Sequence, residues 1–303
     1  MTKGLTVKPG WKTYAIGRHL LDVPVDAKLI AQWKFIRQPF EAFLIRDQAD
    51  FERIVSKREA ELRAMKHETR GSMFIERISH PGGNEMLISQ ADSGFEIQHR
   101  YECYFRAEKK AIKYSGDFDP SKRRVVVENF QSMQDWRVVS PGIIPTEIGF
   151  VAGEMLLVDK DFNYESWSLV IQLADKPDAS LEVSSFVIGK VEQTLRQRAG
   201  GIVTGMLGMA IGLSRLRNRE RPVGPIWAEE ILVAGTQNGK RGYGFKWEAP
   251  GKSQSLSEPQ LNVELEVSES AYKTNAQSFK NDDEALELWD TLIDSIRLRP
   301  GAV

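Results

Sequence analysis

The chain has 303 residues, 41% of them hydrophobic and 27% charged, with 41 basic against 42 acidic side chains and a formal net charge of −1. Length and composition suit two globular domains of ordinary size and exclude the disordered and fibrous classes. The charge balance excludes a whole-chain nucleic-acid binder, which takes most of its affinity from a basic field.

In the first half, residues 15–23 read as a strand closed by Pro24, and residues 41–45 as a second strand. Residues 49–66 have helical period, with Phe51, Ile54, Val55, Leu62 and Met65 on one face. A turn at Pro81-Gly82-Gly83-Asn84 leads into a strand at 85–88 and an alternating strand at 95–105. The half closes with a helix that Asp119 caps and Pro120 starts, carrying Val126, Phe130 and Met133 inward.

The second half repeats this order. Residues 152–158, 167–173 and 180–186 read as strands and 187–198 as a helix. The turn Pro222-Val223-Gly224-Pro225 leads into strands at 229–233, 243–248 and 261–267. The last helix covers 282–295, with Asn281 and Glu284 spaced as a capping box and an apolar face of Leu286, Trp289, Leu292, Ile293 and Ile296. Phe130, Met133 and Pro141-Gly142 match Trp289, Leu292 and Pro300-Gly301 at one constant offset, which reads as duplication of one unit. Strands interrupted by single helices predict an α+β protein of two similar tandem domains, each a mainly antiparallel sheet with helices on one face. Pro/Gly punctuation at 140–145 sets the expected boundary, giving domains 1–142 and 143–303.

Motifs for chemistry are missing: no nucleophile elbow, phosphate-binding loop, dinucleotide fingerprint or HExxH occurs. Glu229-Glu230 sits at a strand entrance, where neighbours face opposite ways and cannot share a proton. Asp282-Asp283 sits at a helix N-terminus, where the macrodipole favours acids. His80, beside Pro81-Gly82-Gly83, has no serine motif to serve. The four histidines, His19, His67, His80 and His99, lack ligand spacing, so neither metal nor cofactor is expected. Cys103 is the only cysteine and cannot form an internal disulfide. Arg215, Arg217, Arg219 and Arg221 read as a solvated basic segment. Core packing is the expectation for each tryptophan, with Trp227, in the turn segment Pro225-Ile226-Trp227, the candidate for an exposed anchor if one leaves the core. Residues 202–213 are apolar but too short to span a bilayer, which takes about 20 residues, so a buried segment or bent helix extension is expected, without stable membrane insertion. Residues 1–7 hold no apolar stretch of signal type. The compartment is therefore cytoplasmic, or periplasmic if a signal sequence has been removed.

Several of these segments carry a family resemblance. Arg219-Glu220-Arg221-Pro222-Val223-Gly224, Ala228-Glu229-Glu230-Ile231-Leu232, Phe245-Lys246-Trp247-Glu248-Ala249-Pro250-Gly251-Lys252 and Asp283-Glu284-Ala285-Leu286-Glu287-Leu288-Trp289-Asp290 with Ser295-Ile296-Arg297-Leu298-Arg299-Pro300 resemble one C-terminal domain. It is that of the cognate immunity proteins of type VI secretion lipase effectors, the family paired with the fourth effector class. Ile16-Gly17-Arg18-His19-Leu20-Leu21-Asp22-Val23-Pro24 resembles the start of that family's N-terminal domain. The resemblance implies a non-enzymatic protein that inhibits its cognate phospholipase, closing on it like a claw, with no nucleic-acid partner. Such an interface needs about 2,000 Å² or more for nanomolar affinity. Loops at 91–94 and 237–242 are expected positions for it, with no individual contact residue assigned. The competing readings are an envelope or secretion-apparatus adaptor, and an enzyme with an unrecognised site.

Overall fold

A computed structural model of the chain describes residues 7–35, 37–91, 97–159, 161, 164–198, 211–237, 239–267 and 278–303. The first half runs β1 (Trp11–Ile16), β2 (His19–Pro24), β3 (Lys28–Phe35), β4 (Gln38–Leu44) and α1 (Gln48–Ala64). Two short strands, β5 (Lys66–His67) and β6 (Gly71–Ser72), precede β7 (Phe74–Ser79), β8 (Glu85–Ala91), β9 (Gln98–Ala107) and β10 (Lys110–Phe118). A 3-10 turn (Pro120–Lys122), α2 (Arg123–Ser132) and β11 (Trp136–Val138) complete it. The second half runs β12 (Phe150–Ala152), β13 (Met155–Leu157), β14 (Ser166–Gln172), β15 (Ala179–Phe186), β16 (Ile211–Glu220), β17 (Glu229–Gln237), β18 (Lys240–Ala249), β19 (Gln260–Val267), α3 (Asp282–Ser295) and β20 (Arg297–Leu298). The protein is α+β, and the strand ladders with described register are antiparallel.

Two compact units emerge: residues 1–33 with 161–303, and residues 34–160. In the second, strand order is β4-β10-β9-β8-β7; in the first, β15-β19-β18-β17-β16 follows the same path, with β14 and β3 beyond β15. The units do not follow the expected cut at 142/143, and strand pairing supplies the reason. The β1–β2 hairpin pairs with β20 from the far end of the chain, His19 opposite Leu298. The β12–β13 hairpin pairs with β11, Trp136 opposite Leu157. Each sequential half thus lends its opening hairpin to the unit built on the other half.

The expected single strands at 15–23 and 152–158 are these hairpins. Gly17 (φ 56°) and Gly153 (φ 62°) take left-handed backbone at the reversals, which an alternation pattern alone does not show. Strands β3, β7, β10 and the bulk of β16 were not anticipated; their polar faces and interspersed charges hide the period. The expected helix over 187–198 is absent. At its start the backbone is committed to distant partners: Val187 N–H donates to Glu165 O at 3.0 Å, and Gln254 N–H to Ile188 O at 2.7 Å; only a single turn, Arg198 N–H to Thr194 O at 3.2 Å, is local.

In the 34–160 unit, α1 starts on Asp47, whose side chain accepts from Asp50 N–H, and buries Phe51, Val55 and Leu62 with Leu87, Tyr104 and Ala111. Met65, expected on that face, is 49% exposed because the helix has ended. Helix α2 packs Phe130 on Phe105, ring centroids 5.5 Å apart. Tyr104 and Phe105 are neighbours on one strand, so the two helices cover opposite faces of the sheet and not one face as expected. In the other unit, Trp289 of α3 meets Phe245 of β18 edge-on at 5.5 Å, and Ser295 Oγ accepts from Asp22 N–H of β2 at 2.8 Å. Helix α3 is thus held between its sheet and the borrowed hairpin.

Candidate partner-binding surface

The acidic clusters that could have moved protons are held by arginine. Glu230 is fully buried and accepts from Arg219 Nε at 2.7 Å and Trp289 Nε1 at 3.2 Å. Glu229 instead accepts Arg196 N–H at 2.8 Å, so the adjacent pair shares no site. Arg217 grips Asp290 of α3 bidentately at 2.7 and 2.9 Å, and Arg221 reaches Asp294 at 2.6 Å. The expected solvated basic segment is therefore largely an ion-paired strap between β16 and α3, with Arg215 exposed. Asp282 takes Arg241 at 2.9 and 2.8 Å and the Tyr243 hydroxyl at 3.0 Å. The Arg241 guanidinium holds its carboxyl below the usual range, and burial raises Tyr243. Asp282 and Asp283 do sit in the first turn of α3, as the dipole argument requires.

The same pattern holds in the 34–160 unit. Burial works to raise Glu102, but Arg58 at 2.7 Å, the Tyr104 hydroxyl at 2.8 Å and Lys113 at 3.1 Å bring it below its ordinary value. His80 spends the backbone donors beside it on its own turn: Gly82 N–H bonds its Nδ1 at 3.0 Å and Gly83 N–H its carbonyl at 2.8 Å. Burial pushes the Cys103 thiol well up, the opposite of an activated thiolate. Among the described residues no group of three or more His, Cys, Asp or Glu could hold a metal, and no helix is long and apolar enough to cross a membrane. Of residues 202–213, only 211–213 lie among the described ones, in β16.

Surface features carry more. Trp227 is 44% exposed, whereas Trp136, Trp167, Trp247 and Trp289 are buried. It stands at the turn between β16 and β17. In the 34–160 unit a groove of about 620 Å³ runs beside β11, lined by Trp136, Val138, Ile144, Pro145 and Leu156, with Ile143 62% exposed at its rim. In the sequence, residues 140–145 read as boundary punctuation; the two adjacent isoleucines, Ile143 and Ile144, were the available signal for the groove. Of the loops expected to contact a partner, residues 92–94 and 238 lie outside the described residues. Arg241, in the other loop, faces Asp282.

Comparison with known proteins assigns the family. A family model described as the Tle cognate immunity protein 4 C-terminal domain matches residues 143–301. No curated protein matches. Among solved structures, the apo immunity protein TplEi of the T6SS from Pseudomonas aeruginosa is 31% identical, with 97% of this chain and 99% of that one covered and a TM-score of 0.89. The Tle4-Tli4 complex gives 31% identity, 98% and 100% coverage and a TM-score of 0.90. TplEi complexed with an "L" peptide gives 31% identity, 97% and 99% coverage and a TM-score of 0.84. The sequence segments, the fold they build and these likenesses converge: the chain belongs to the Tle cognate immunity protein 4 family.

Proposed function

We propose that this protein binds and inhibits a cognate type VI secretion lipase effector, protecting the bacterium that makes it from self-intoxication. The observation that carries this reading is likeness over 97–98% of the chain, at 31% identity, to immunity proteins, one of them solved as a Tle4-Tli4 complex. Inhibition acts by occupancy, without turnover. The arginine-clamped acids support this, because a carboxylate held below its usual range by a fixed cation is a poor proton shuttle at neutral pH. The site of action we assign is the periplasm. The test is co-expression with its cognate lipase effector, the effector directed to the periplasm. Growth should be rescued only when the immunity protein reaches that compartment. Cell death despite accumulation of both proteins there would overturn the reading.

A further inference from the structure

We infer that the turn joining β16 to β17, residues 221–228, is a preorganised anchor that seats Trp227 in an apolar pocket of the effector protein. The inference rests on the proposed function and adds the residue and the kind of recognition. The turn is held by its own hydrogen bonds. Arg221 N–H donates to Ala228 O at 2.8 Å, and Val223 and Ile226 exchange both backbone bonds at 2.9 and 3.0 Å. From the sheet, Trp247 Nε1 donates to Arg221 O at 2.8 Å. Gly224 makes the reversal at φ 55°, between Val223 and Pro225. Val223 and Ala228 are buried at the base, while Pro222, Gly224, Pro225 and Trp227 are exposed. Backbone freedom has therefore been given up before any partner arrives, which removes much of the ordering cost of binding.

The exposed indole contrasts with the base of the turn. Arg221 is tied to Asp294 at 2.6 Å and Arg219 to Glu230 at 2.7 Å, so the two arginines at the start of the turn are already ion-paired within the chain. What remains for a partner is an exposed aromatic on a turn fixed by its own backbone bonds, with Pro222 and Pro225 exposed beside it, not a charged patch. That favours an apolar pocket of a protein over an anionic lipid surface, which would call for free Lys or Arg beside the aromatic.

The test measures affinity of the full-length protein for its purified effector, using wild type, Trp227→Ala, Trp227→Phe and Trp227→Lys, with thermal melts as a fold control. The expected result is unchanged melting, a Kd raised about 30–100-fold for alanine chiefly through faster dissociation, a smaller loss for phenylalanine and a larger one for lysine. Tight wild-type binding with all three variants equally tight overturns the anchor and leaves the proposed function standing. Absence of wild-type binding overturns both. Capture of wild type, but not Trp227→Ala, by phosphatidylglycerol vesicles without a matching loss of effector affinity would assign the indole to lipid and overturn the inference.

Discussion

His19 sits on β2 with 2% of its surface exposed, tilted against the Trp167 ring at 6.2 Å. Burial, and then the Arg18 guanidinium, lower its pKa to about 4. Neither ring nitrogen meets a hydrogen-bond partner among the described residues. Unfolded, the imidazole binds a proton near pH 6.5; folded, only near 4. The neutral ring's contribution is therefore present above pH 6.5 and lost as pH falls towards 4, amounting to about 3 kcal/mol at most. Glu102, Asp282 and Asp290, also held below their ordinary values, add a loss in the same direction that starts lower, near pH 4.5 for the glutamate and near 3.8 for the aspartates. In urea titrations at stepped pH, His19→Phe should flatten the decline between pH 6.5 and 5 relative to wild type. Parallel declines would refute the assignment. Beside it, Arg18 and Glu165, 1% and 4% exposed, form a two-pronged pair at 2.8 and 3.0 Å, and Arg18 Nη1 also bonds Ala302 O at 2.6 Å. Glu165→Leu should cost about 3–5 kcal/mol by leaving a buried guanidinium without its carboxylate, and adding Arg18→Met should recover much of that. A double variant as unstable as the single would show that the pair itself stabilises strongly.

Elements whose signals are local were legible in the sequence. Helix α3 runs over the expected 282–295 because Asn281 caps it, accepting Glu284 N–H at 2.9 Å, and because Trp289, Leu292 and Ile293 hold one buried face. The box is only half reciprocal: Glu284 reaches Lys280 N–H and Lys176 in place of the cap residue's own N–H. Asn281→Ala should lower stability by about 1 kcal/mol, read from the denaturation midpoint; an unchanged midpoint would mean that Lys176 and the tertiary contacts alone fix this end. What was hidden depends on distant partners. Residues 187–198 carry helical period, yet Ser253 Oγ donates to Gly189 O at 2.5 Å and Gln254 claims Ile188, so the start of the segment is drawn to distant partners and only a turn at 195–198 remains. The candidate surface divides the same way. Trp227 was readable because a tryptophan among prolines and glycine has no core to enter, while the groove by Ile143 and Ile144 needed β11 and β13 in place.

At the scale of the whole molecule, the hairpin exchange ties the two sequential halves together. A fragment spanning 143–303 lacks β1 and β2, and with them the partner of β20, the Asp22–Ser295 bond and the Arg18 side of the buried pair. It also leaves open the surface that Ile16, Leu20, Leu21 and Val23 cover. Expressed alone it should lack a cooperative melt, and co-expression of 1–142 should restore one. A 143–303 fragment melting cooperatively at the full-length temperature would show that the exchange adds little. The central claim, that the full chain silences a lipase by holding it, is tested most directly by titrating the purified protein into its cognate lipase effector. Residual lipase activity is followed while light scattering on a sizing column reports the complex. The account predicts a linear fall in activity to near zero at a fixed stoichiometry, with both proteins in one peak. Separate elution with the lipase fully active at excess protein would contradict it.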